Sequence, residues 1–254
     1  MLQSIMADVG IDFYLLTFMV LAAFLSAVFH SVSGLAGALL LVIVLSPLLG
    51  IKTAVPLVAV TVLVSNIARV WVFRKDLLMP IFISIIVTAL PGMIAGAFIF
   101  VYMPVKTIAL LLGLFLAISV PGRRALNKHG IKVGRSGFSI VGMVYGLVSG
   151  VAMGSGLILA PFFLGAGIVG VQIAAMSAIL GVVLNITKTI IFGTSPLLSF
   201  SMIGIGLIMG LCTIPGAFVG RWILLRTSIH VHTILIEGVM LAGAIFFLSQ
   251  ALPD

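Results

Sequence analysis

Asn66 and Arg69 stand three residues apart inside one hydrophobic stretch, and Asn185 and Lys188 repeat that spacing inside another. On a helix, a three-residue separation puts amide and cation on one face. Arg69 and Lys188 are also the two bases that lie within hydrophobic stretches rather than in the loops between them. A charge at the centre of a bilayer costs about 2.5–3.5 kcal/mol on insertion scales, so such residues mark substrate pathways unless they snorkel to the headgroups from a helix end. Together the two pairs can offer amide donors and two positive charges to one small anion.

Two turns rich in small residues accompany them: Ser31, Ser33, Gly34, Ala36 and Gly37 early in the chain, and Ser149, Gly150, Gly154, Ser155 and Gly156 past its middle. Glycine lets backbone approach a ligand, serine adds a hydroxyl, and a helix N-terminus after such a turn has unpaired N–H groups that suit an anion. The competing reading is close helix packing through small residues. His30, just before the first turn, and Glu237, the one acid well inside a hydrophobic stretch, are candidates for proton coupling; a hydrogen-bonded histidine and a neutralising partner for Arg221, Arg226 or Lys188 are their structural alternatives. Cys212 is the single cysteine and reads as a small apolar helix residue, with no metal-ligand spacing around it. Paired carboxylates, HExxH, a P-loop and a Ser/His/Asp set are all missing from the sequence, so neither an enzyme nor ATP-driven transport by this chain is expected, and no cofactor or metal.

The elements that must carry these residues follow from composition. With 63% hydrophobic and 7% charged residues, the chain has too little polar surface to cover a soluble domain, and lipid must be its solvent. Hydrophobic blocks run over about 11–50, 53–73, 77–101, 104–120, 137–165, 171–192, 197–222 and 231–251, and in lipid they must be helices. The polar stretch 121–137 holds Arg123, Arg124, Lys128, Lys132 and Arg135, and divides the chain into an N-terminal membrane repeat (1–120), a basic linker, and a C-terminal membrane repeat (138–254). The halves share landmarks in order: the glycine turns, Asn66 to Arg69 with Asn185 to Lys188, and Pro91-Gly92 and Gly96 with Pro215-Gly216 and Gly220. The two Pro-Gly pairs are expected to kink their helices or let neighbours pack closely.

Block 11–50 is too long for one span and must turn back, while block 137–165 suits a re-entrant pair of half-helices meeting at its glycines. Each half then has a glycine-broken or re-entrant leading pair followed by three spanning helices. It crosses an odd number of times, so the two repeats have inverted topology. Nine loop bases (Arg74, Lys75, the five of the linker, Arg221 and Arg226) then share one side, against Lys52 and Lys106 on the other with Asp8, Asp12 and Asp254. Single leading spans would split the bases seven against four, so the positive-inside rule favours the inverted arrangement, with a cytoplasmic linker and both termini outside. The same rule accounts for the net charge of +8, which gives no reason to expect a nucleic-acid partner. The leading segment MLQSIMADVGID carries two acids and no base, the wrong charge for a cleavable signal peptide. Trp71 and Trp222, near block ends, read as interfacial.

The glycine-rich leading helices, the paired small-residue turns, the basic linker and the length together resemble the sulfite exporter TauE/SafE family of bacterial membrane proteins. SGVAMGSGLILAP, residues 149–161, is the piece most similar to that family's clustered glycines followed by proline; in the first half Gly34 and Gly37 stand among alanines and no proline follows at the same distance. The resemblance implies movement of sulfite or an organosulfonate across the cytoplasmic (inner) membrane. The expected function is secondary transport: export of a small sulfur-containing anion by alternating access. Ser33, Gly34, Gly37, Gly154, Ser155 and Gly156 are the expected donors, with Asn66, Arg69, Asn185 and Lys188 beside them. A proton-coupled uptake carrier for another anion and a non-transporting membrane scaffold are the alternatives. The small anion and the lipid bilayer are the expected partners, and self-association into a homo-oligomer is left open.

Overall fold

The computed structural model describes residues 6, 8–33, 36–128, 135–168 and 170–252, and among these every regular element is helical. The long hydrophobic blocks become α1 (Phe13–Ser33), α2 (Gly37–Leu49), α3 (Ile51–Val72), α4 (Met79–Tyr102), α5 (Val105–Lys128), α6 (Arg135–Val151), α7 (Ala160–Gly165), α8 (Val171–Gly193), α9 (Phe200–Leu224) and α10 (Ile229–Ala251). α1, α3, α4, α5, α8 and α9 contain stretches long and apolar enough to cross a membrane.

The first block breaks at the glycine turn as expected, but its two parts are unequal. α1, with 21 residues, has the length of a full span, whereas α2, with 13, rises only about 20 Å. Gly50, with φ +76°, ends α2 and opens α3. Block 137–165 becomes α6, a single 3₁₀ turn over Ser155–Ile158, and the six-residue α7. α5 carries on past the expected block end at 120, through Pro121, to Lys128, so the first part of the basic linker is helical. Within α5 the proline costs one backbone hydrogen bond, at the point where the helix leaves the apolar stretch.

Small residues set how the helices meet. α6 lies on α4 through Gly142, Gly146 and Gly150, where an added Cβ would strike backbone atoms of Ile85, Ala89 and Gly96. α9 lies on α1 through Gly216 and Gly220 in the same way. The close-packing role of the Pro-Gly pairs is therefore what the structure shows: Gly92 and Gly216 face a neighbouring backbone. Contacts along these interfaces advance in the same direction on both helices, so α4 and α6 run parallel, as do α1 and α9, and α3 and α9, where Gly206 meets Val60 and Gly210 meets Val64. α3 and α8 run antiparallel, Arg69 near the end of α3 reaching Ala174 near the start of α8.

The two glycine interfaces match residue for residue. Gly92 faces Met143, Gly146 and Leu147, and Gly216 faces Phe24, Ala27 and Val28; Gly96 faces Leu147 and Gly150, and Gly220 faces Val28 and Ser31. Each of the residues on α1 lies 119 positions before its counterpart on α6, the separation that also relates Asn66 to Asn185 and Arg69 to Lys188.

Candidate substrate site

α3 and α8 cross at the centre of the molecule and bring both Asn-x-x-cation pairs together. A cavity of about 60 Å³ lies between them, walled by His30 from α1, Ala38 from α2, Val62 and Asn66 from α3, Tyr145 and Ser149 from α6, the turn Ala152 to Gly156, and Ser177, Gly181, Leu184, Asn185 and Lys188 from α8. By the measure in which one water needs about 10–15 Å³, this holds a few waters or one compact oxyanion. A larger cavity of about 290 Å³ lies toward the start of α3, lined by Val9, Leu48, Leu57, Met202 and other mostly apolar residues. It has no charged side chain, so the smaller cavity is the one whose chemistry suits an anion.

Neither interior base snorkels: Arg69 is fully buried and Lys188 nearly so. Their roles differ. The Lys188 ammonium lies on the cavity wall, donating to the Ala152 carbonyl oxygen at 3.3 Å with the Met153 sulfur at 3.6 Å. Ala152 follows the last residue of α6, so the ammonium sits at the negative end of a helix. Arg69 lies behind the wall. Its Nη1 donates to Asn66 Oδ1 at 3.0 Å, and its Nη2 donates to Ser177 Oγ at 3.0 Å and to the Ala174 carbonyl at 3.2 Å. The guanidinium thus clamps α3 to α8 and orients Asn66, whose amide rests against the Cα of Gly181.

The second small-residue turn is part of the wall. Gly154 has φ +82° and opens the 3₁₀ turn, and a Cβ there would lie 2.8 Å from Leu39 Cβ. Both the left-handed backbone and the tight approach require glycine. Gly154→Ala is expected to cost about 1–3 kcal/mol, combining conformational strain with overpacking, and to lower the unfolding temperature of detergent-solubilised protein. Ser149 and Ser155 share a short hydroxyl–hydroxyl hydrogen bond beside Gly156. Ala152 to Gly156 therefore serve the site through side-chain hydroxyls and a carbonyl, with only a single 3₁₀ turn behind them rather than the N-terminus of a half-helix.

The first turn is used differently. Ser33 Oγ accepts from the Ala36 N–H at 3.2 Å and so closes its own turn, while Gly37 packs on His30 and its carbonyl accepts from Ser26 Oγ at 2.6 Å. Neither lines the cavity; His30 and Ala38 do. Gly34 lies outside the described residues. Glu237 is half-buried on α10 and is not on the cavity wall.

Tyr145, Ser177 and Gly181 are wall residues that sequence reasoning did not single out. A signal existed for two of them: Ser177, Gly181, Asn185 and Lys188 recur at four- and three-residue steps, one face of α8. Tyr145 comes from another helix and has no such signature.

Membrane-spanning helices packed by glycine and enclosing a small, buried, hydroxyl- and amide-lined cavity with a lysine on its wall make this a multi-pass membrane transporter. A model of the sulfite exporter TauE/SafE family matches residues 19–247, and the chain belongs to that family, whose members are membrane transporters and not enzymes. No curated relative and no solved structure matches the chain.

Proposed function

We propose that this protein is a secondary transporter that exports a small sulfur-containing anion, sulfite first among the candidates, by alternating access of two inverted halves around the cavity between α3 and α8. The observation that carries the reading is Lys188, a buried ammonium on the wall of a small cavity among Asn66, Asn185, Ser149 and Ser155. A compact oxyanion needs several fixed donors and a compensating charge, and this wall supplies them. The matched interfaces of α4 on α6 and α9 on α1, whose α1 and α6 residues lie 119 positions apart, support the repeat. The helix directions support its inversion: α3 and its counterpart α8 run antiparallel, as repeats of opposite topology require.

The ends of the helices support an orientation in the cytoplasmic (inner) membrane with the linker inside and both termini outside. At one end of the parallel helices α3 and α9, Arg74 lies 4.2 Å over the exposed Trp71 ring and Arg226 lies 4.0 Å over the exposed Trp222 ring. Two such pairs form an aromatic and basic belt at the face we assign to the cytoplasm. Export of an anion down an inside-negative potential gains about 2.3 kcal/mol per charge per 100 mV, so no coupling ion is required. Purified protein in proteoliposomes should release sulfite, faster when the potential repels the anion from the lumen. Absence of sulfite and sulfonate flux in a folded preparation would remove the reading and favour a scaffold role.

A further inference from the structure

The two asparagines of the cavity look equivalent in sequence, but the structure holds them by opposite ends. Asn66 is held through its oxygen: Arg69 Nη1 can only donate, so the amide atom at 3.0 Å must be Oδ1, and the Nδ2 donors remain, packed beside Gly181 of the cavity wall. Asn185 is held through its nitrogen: the Gly181 carbonyl can only accept, so the atom 2.8 Å from it must be Nδ2, and Oδ1 remains with the second Nδ2 hydrogen. Both assignments follow from the fixed character of the partner and leave no freedom to flip the amides. Asn66, Asn185 and Lys188 all line the cavity, with donors left on Asn66 and an acceptor oxygen left on Asn185, one turn from Lys188 on the same helix.

A fully deprotonated oxyanion has only lone pairs to offer, and one of its oxygens would meet the Asn185 lone pairs in a buried site. A singly protonated oxyanion has a hydroxyl that can donate to Asn185 Oδ1 while its remaining oxygens accept from Asn66 and Lys188. Its single negative charge also matches the one lysine among the described wall residues, whose other titratable members are His30 from α1 and Tyr145 from α6. Sites built to hydrogen-bond a substrate hydroxyl discriminate strongly against an analogue lacking it, because the buried partner is left unpaired. We infer that the transported species is the protonated monoanion, hydrogensulfite in the case of sulfite, with Asn185 as the acceptor that reads its O–H. The inference rests on the transport reading above and narrows it to one ionisation state. Among the described residues the wall carries no carboxylate for an ammonium group, so zwitterionic aminosulfonates do not fit.

The second ionisation of sulfite falls near neutrality, which makes the choice measurable. In voltage-clamped proteoliposomes at a pH where the bulk is mostly dianion, the charge moved is divided by labelled sulfite moved. One charge per sulfur, with acid delivered to the far side, is the expected result; two charges per sulfur overturns the inference while leaving sulfite transport intact. At subsaturating total sulfite the rate should fall about tenfold for each pH unit above that ionisation, following the monoanion fraction. Asn185→Ala should flatten this slope to less than about twofold per unit, and Asn185→Ser, which keeps an acceptor, should retain most of it. A slope left unchanged in both folded variants removes Asn185 as the reader. No sulfite flux by the wild-type protein at any pH is the separate outcome that sinks the transport reading itself.

Discussion

Lys188→Gln is expected to lower the sulfite kcat/KM by about 10–100-fold, the equivalent of the roughly 1.5–3 kcal/mol carried by a hydrogen bond to a charged group. The ammonium already spans the gap to the Ala152 carbonyl and the Met153 sulfur, so its nitrogen is fixed before substrate arrives. Glutamine keeps a donor but removes the charge that compensates the anion. The wild-type nitrogen makes no contact with a carboxylate among the described residues, so its loss leaves no orphaned acid and the protein should fold. Initial rates of labelled sulfite release, with size-exclusion profiles as the folding control, decide the matter; full flux in a folded Lys188→Gln protein would take the ammonium out of the mechanism. The equivalent change at Arg69 should behave differently. Its guanidinium joins Asn66 on α3 to Ala174 and Ser177 on α8, so Arg69→Gln should first lower thermal stability.

Gly146→Val is expected to destabilise the fold by about 3 kcal/mol, at the upper end of the overpacking range. A Cβ at this position would overlap the Ala89 carbonyl oxygen, and the nearby Gly142 and Gly150 are packed as tightly against Ile85 and Gly96. The obstacle is backbone rather than a flexible side-chain tip, so α4 and α6 must separate along their whole contact, losing dispersion that drives helix association in lipid. Gly238→Val is the matched control, since nothing lies within 4 Å of a Cβ there. Thermal unfolding in detergent, read by loss of the monodisperse peak, should separate the two variants clearly. Equal melting temperatures would mean that the α4–α6 contact is not what holds this part of the bundle.

Much of this protein could be read without coordinates because lipid removes alternatives. A chain this apolar cannot be soluble, and backbone in hydrocarbon must pair with itself, so hydrophobic blocks became helices with the expected boundaries almost everywhere. The departure at α5 has a local cause: residues 121–128 are polar, but a helix leaving the membrane does not need an apolar face to continue. The repeated Asn-x-x-cation spacing pointed to the right faces of α3 and α8, since residues three apart on a helix share a face whatever surrounds it.

Sequence by itself determined the membrane class, the helical blocks and the pairing of two Asn-x-x-cation motifs that meet where α3 packs on α8. Only the tertiary structure decided their separate duties. Identical spacing placed Lys188 on the cavity wall and Arg69 behind it, because α8 runs past the end of α6 while α3 runs past the start of α8. It fixed Asn66 by its oxygen, which accepts from Arg69, and Asn185 by its nitrogen, which donates to the Gly181 carbonyl, since hydrogen-bond polarity is set by whichever group lies opposite. It turned Gly37 into a packing residue and Gly154 into part of the site, because a glycine's use depends on what approaches it, and approach is a property of the packed chain.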